Sequence, residues 1–132
     1  MDIKTYKKIY SEYPEFFPKR DIIDCNIGWY QIISELCGAI KIYYDGESIS
    51  KDIEPIIFES IKERFGVLEA SYSGGDKIVD HIIQYSKRLS YKTCEICGTV
   101  GQLYCSTKWM SWSNKKTLCN DHAIQLYYYT LT

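Results

Sequence analysis

Histidine, methionine and proline are scarce, with 2, 2 and 3 copies in 132 residues, and the signatures of common catalytic sites are missing. There is no H-E-x-x-H, no G-x-S-x-G, no P-loop and no G-x-G-x-x-G turn. One histidine, His81, stands beside Asp80 in a helical pattern and reads as a surface residue. Cys25, ahead of the strongest helix, is the other weak catalytic prospect. The expectation is a protein that is not an enzyme. No apolar leader opens the chain and no run nears the ~18 apolar residues of a membrane span, which predicts a cytoplasmic protein with no membrane partner. Charge of one sign is lacking too, for the net charge is −1. The balance is uneven, with 10 basic against 15 acidic side chains through residue 83 and 6 against 2 beyond it. So modest a basic end argues against a dedicated DNA binder but suits phosphates or an acidic protein face.

What is present is cysteine, 6 residues of it, and its spacing is informative. Cys94-Glu95-Ile96-Cys97-Gly98 is followed by Cys119-Asn120-Asp121-His122. Structural Zn²⁺ takes four tetrahedral sulfur or nitrogen ligands, and two closely spaced pairs on separate segments supply them. A two-residue spacer lets one turn aim Cys94 and Cys97 at one point, with Gly98 where positive φ is often needed. Cys119 and His122, spaced i, i+3, share one face if a helix opens at Cys119. A redox C-x-x-C would want a βαβ unit around it, and none is apparent. Cys105 lies between the pairs and is the alternative to His122 as fourth ligand. Cys25 and Cys37 read as buried thiols in a reducing compartment.

The rest reads as an α+β protein: a small helical core with a short β-sheet (1–90), then a C-terminal zinc-ribbon or zinc-knuckle module (91–132) packed against it. Ile3, Tyr6, Ile9, Tyr10 and Tyr13 predict a helix over 2–13, stopped by Pro14. Phe16 and Phe17 belong to an ordered loop with the aromatics turned inward. The best helix carries Trp29, Ile32, Ile33, Leu36, Cys37, Ile40 and Tyr43 on one stripe. Pro55 to Phe65, with Ile57, Phe58, Ile61 and Phe65 on one face and Gly66 as terminator, reads as a helix. Val67 to Ser73 reads as a strand, and Asp76 starts a helix facing inward with Ile78, Val79, Ile82, Tyr85 and Leu89. Leu103–Cys105 and Trp109–Leu118 predict ribbon strands, and Ala123 to Tyr129 continues the helix begun at Cys119.

The order of these features resembles a widespread, largely uncharacterised group of small phage and bacterial zinc-ribbon proteins. The matching pieces are Gly28-Trp29, Lys62-Glu63-Arg64-Phe65-Gly66, Cys94-Glu95-Ile96-Cys97-Gly98 and Lys116-Thr117-Leu118-Cys119-Asn120-Asp121-His122-Ala123. Where the group tends to have Leu-Arg-Phe-Tyr, this chain has Leu68-Glu69-Ala70-Ser71, so an anion contact by that arginine does not carry over. The resemblance implies a fold and a zinc ion. Through the company such phage genes keep, it also implies counter-defence in a host cytoplasm.

Two binding readings follow. In one, a small phosphorylated ligand or nucleotide signal is sequestered by Trp29, Tyr72, Lys108, Trp109 and Trp112 with the Gly74-Gly75 turn, whose N–H groups feed a helix N-terminus. Against it, Asp76 would satisfy those donors itself. In the other, the ribbon docks nucleic acid or a host protein, with Lys108, Lys115 and Lys116 on phosphates and Trp109 or Trp112 on a base. A plainer role for Trp109 and Trp112 is to cover the metal. Self-association is left open.

Overall fold

The computed structural model describes residues 6–46, 53–106, 115–126 and 128–130, the last stretch by its backbone. In chain order these form α1 (Lys7–Glu12), β1 (Ile23–Asp24), a 3-10 turn (Ile27–Trp29), α2 (Tyr30–Asp45), β2 (Ile57–Arg64), β3 (Val67–Ser73), α3 (Lys77–Ser90), β4 (Gln102–Ser106), β5 (Lys115–Leu118), α4 (Asn120–Gln125) and β6 (Tyr128–Thr130). Helices and two small sheets make an α+β architecture. One sheet has the order β1-β2-β3, the other β5-β4-β6. Among the described residues no helix is long and apolar enough to cross a membrane.

The stripe expected on α2 is the spine of the core. Trp29, Ile32, Ile33, Leu36, Cys37 and Ile40 are all buried, and α1 adds Tyr6, Ile9 and Tyr10. Phe16 and Phe17 do turn inward, and Phe17 stacks on Phe58 of β2 with ring centroids 5.2 Å apart. The β1–β2 pairing is parallel and the β2–β3 pairing antiparallel.

The helix expected over Pro55 to Phe65 is instead the strand β2. Its register against β3 slips between Phe58 and Ser60, a β-bulge. A bulge inserts one residue, so Phe58 and Ile61 both reach the core although three apart. That spacing imitates one turn of a helix. Gly66 is accordingly no helix terminator: Phe65 (φ 53°) and Gly66 (φ 85°) are the two central residues of the β2–β3 turn, both with the positive φ that a type I′ hairpin needs.

Two other expectations are corrected. Helix α3 is rotated from its predicted face, with Val79, Ile83, Ser86 and Ser90 buried and Ile78 and Tyr85 exposed. At its C-terminal end the buried Ser90 hydroxyl accepts the Leu68 N–H of β3 at 2.9 Å. The C-terminal helix ends at Gln125, and Tyr128–Thr130 pairs with β4 as β6, in keeping with the strand preference of Tyr and Thr. Residues 2–5 of the first predicted helix lie outside the described residues.

Candidate metal centre

Each ligand pair is aimed by its own piece of backbone. Around Cys94 the chain makes a tight knuckle in which Gly98 N–H donates to the Cys94 carbonyl at 2.9 Å and Cys94 N–H to the Thr99 carbonyl at 2.7 Å. Gly98 has φ 84°, as the C-x-x-C-G pattern predicts. Strand β5 delivers Leu118, and Cys119 then stands at the N-cap of α4, which brings His122 back over it within the first turn. The donors of Cys94, Cys97, Cys119 and His122 all lie within 4.8 Å of one another. Cys105, on β4, is not a member of that group, so the all-cysteine alternative is not supported.

The distances suit a tetrahedral ion. With Zn–S of about 2.3 Å and Zn–N of about 2.0 Å, tetrahedral edges come to roughly 3.8 Å between sulfurs and 3.5 Å between sulfur and nitrogen. The Sγ atoms of Cys97 and Cys119 are 3.8 Å apart, and Nδ1 of His122 is 3.6 Å from Cys94 Sγ and 3.2 Å from Cys119 Sγ. These residues can hold a metal ion, and three sulfurs with one imidazole favour a soft or borderline one. The Thr99 hydroxyl, 3.0 Å from Cys97 Sγ, lowers that thiol to about 7, and backbone hydrogen bonding at His122 lowers Cys119. Burial pushes the Cys94 thiol up, so an ion binding here displaces its proton.

The centre is bolted to the core through residues that its ligands bracket. Glu95 is buried at 2% exposure, and its carboxylate accepts from the Asn26 N–H and side-chain amide, at 3.3 and 3.2 Å. Lys116 reaches it at 3.4 Å and Glu63 of β2 at 2.7 Å. Gly28 N–H donates to the Glu95 carbonyl at 2.7 Å, the Trp29 indole to the Thr93 carbonyl at 2.9 Å, and the Thr117 hydroxyl to the Gly66 carbonyl at 2.5 Å. Gly28 has to be glycine, because a Cβ would strike the carbonyls of Cys94 and Glu95. Charge pairing inside a carboxylate-rich seam matters more than at a surface, for Glu95 and Glu63 would otherwise repel at short range.

Of the predicted ligand-binding residues, Trp29, Tyr72, Gly74 and Gly75 are among the described ones, and each is engaged within the fold. Trp29 is fully buried with its indole N–H engaged, so it offers no stacking face. Tyr72 is half-buried on β3 and donates to Asp80 at 2.7 Å. Gly74 and Gly75 form the β3–α3 turn, but Gly75 N–H is taken by the Glu54 carbonyl and Asp76 caps the helix by accepting from Val79 N–H. Lys108, Trp109 and Trp112 lie outside the described residues. What sequence reasoning missed is the seam: Asn26, Glu63, Glu95 and Lys116. The signal available was Gly28-Trp29 and Phe65-Gly66, whose groups pair with Glu95, Thr93 and Thr117.

A groove of about 450 Å³ runs beside the centre, lined by Ile27, Tyr30, Ile32 and Leu89 together with Gln31, Glu35, Thr93 and Cys97. Comparison with protein-family models, with curated proteins and with solved structures yields no match.

Proposed function

We propose that the chain is a non-catalytic binding protein whose back third is held by structural Zn²⁺ in a closed Cys94, Cys97, Cys119 and His122 shell, a zinc-ribbon-like module. The observation that carries this is the meeting of the four donors within 4.8 Å at near-tetrahedral separations. Four protein ligands leave no position for a water, which is what a hydrolytic zinc would need. The His81 and Cys25 environments support no catalytic role: His81 sits exposed on α3, and burial pushes the Cys25 thiol up to about 12.

For the ligand, the described residues favour an apolar or cationic group over a phosphorylated one. The groove is within the range of small-molecule and peptide sites. Its lining mixes apolar residues with Gln31 and Thr93, Glu35 is the acidic residue among them, and three thiolates on Zn²⁺ leave the centre itself with net charge −1. Sequestering of a phosphorylated ligand or nucleotide signal, the reading built on Trp29, Tyr72, Gly74, Gly75, Lys108, Trp109 and Trp112, is the alternative that the same screen addresses.

Two measurements test the reading. Metal analysis of the purified chain is expected to give about one zinc per chain, with tetrahedral sulfur–nitrogen coordination by X-ray absorption. Thermal-shift screening is expected to show no response to cyclic nucleotides and ribosyl nucleotides, and stabilisation by arginine-rich apolar peptides. A metal-free folded chain would remove the zinc reading, and a nucleotide-induced shift would restore the anionic ligand.

A further inference from the structure

The three sulfurs are unequally sheltered. Cys94 is fully buried, Cys119 half-exposed and Cys97 exposed, opening on the groove along α2. The two accessible sulfurs are also the pair at 3.8 Å. They sit on different segments, one at the end of the knuckle and one at the N-cap of α4. The residues that bolt the knuckle to the core, Glu95 and Gly28, use backbone and carboxylate atoms and no sulfur.

We infer that this centre is also a peroxide-responsive switch, in which Cys97 and Cys119 pass from metal ligands to a disulfide and the ion is released. The inference rests on the zinc reading above. The Cys97 thiolate attacks one oxygen of hydrogen peroxide, forming a sulfenic acid and expelling hydroxide. The Cys119 thiolate then attacks that sulfur, the S–S bond forms, and a second hydroxide leaves. Two protons from solvent convert the hydroxides to water. Two thiolates lose two electrons and peroxide gains them, and only Cys94 and His122 would remain as ligands for a bound Zn²⁺, too few to hold it. The new bond keeps the knuckle tied to α4, so the back sheet loosens without separating. A thiol reductant reverses the step by exchange.

The test uses the full chain with zinc bound. Peroxide is added in the presence of a chromogenic zinc chelator, thiols are counted, and peptides are mapped by mass spectrometry without reduction. The expected result is stoichiometric zinc release with loss of two thiols per chain, a Cys97–Cys119 linked peptide, and Cys94 recovered as a free thiol. Dithiothreitol with added zinc is expected to restore the metal. The Cys105→Ser chain, whose centre is intact, is expected to release zinc at the same rate. Zinc retained while thiols are consumed would overturn the switch and leave the zinc reading standing, as would a disulfide mapped to Cys94 or Cys105. A chain that takes up no zinc at all would overturn both.

Discussion

The cluster running from Tyr6 to Ile83 buries Trp29, Phe16, Phe17 and Phe58 together with the aliphatic rows of α2 and β2, whereas among the described residues the cluster behind it is Cys94, Tyr104, Leu118 and Ala123. Burying a large apolar side chain is worth about 1.5–3 kcal/mol, so the rear cluster supplies roughly 5 kcal/mol and one of its members is a metal ligand. A structural zinc contributes an apparent ~10–16 kcal/mol at neutral pH, two to three times as much. With zinc in the centre as proposed, coordination outweighs burial among the described residues of the back, whereas the front rests on hydrophobic burial. The seam of Asn26, Gly28, Glu63, Glu95 and Lys116 is what makes them one body.

The largest effect that bears on this contrast is metal removal. Chelation, or Cys94→Ser, is expected to abolish amide-exchange protection in β4 and β5 while α2, β2 and β3 keep theirs. Equal loss in both halves would mean that the front also depends on the ion.

Next comes the seam. Gly28→Ala forces a methyl group against two carbonyls, and overpacking of that kind costs about 1–3 kcal/mol. Its signature is a split of one melting transition into two, read by calorimetry. A single transition at the native temperature would show the close approach to be dispensable.

Lys116→Met leaves Glu63 and Glu95 facing each other. Removing one partner of a buried pair costs ~3–5 kcal/mol, reduced here to about 1–2 because the Lys116 side chain is 32% exposed. Adding Glu95→Gln is expected to recover most of the loss, and denaturant titration of the single and double variants checks it. No recovery would sever the link between Lys116 and Glu95.

The smallest effect separates the halves by pH. Burial raises the Cys25 thiol to about 12 from its ordinary 9.0 and raises Cys37 too. Both are neutral in the fold, so their contribution is whole below pH 9 and is lost as pH climbs through the folded values, by ~1.4 kcal/mol per thiol per unit. Between pH 8 and 9.5 this is under about 1 kcal/mol. Cys37→Ala is expected to flatten the fall in melting temperature over that range, and an unchanged slope would show that the buried thiol is not its source.

What could be read from residues alone was whatever local chemistry decides. The α2 stripe, the β3 strand, the Asp76 cap and the four candidate metal donors follow from periodicity or spacing, because a ligand pair with two residues between its members needs only its own turn to converge. Tertiary structure decided the rest. Only the bulge in β2 tells a strand from the helix that Phe58 and Ile61 imitate, since their spacing is the same in both. Only the approach of the knuckle to α2 reveals why Gly28 must lack a side chain and why Glu95, between two ligands, is buried and paired. Such positions take their meaning from partners far away in the chain, and a linear pattern carries no record of those contacts.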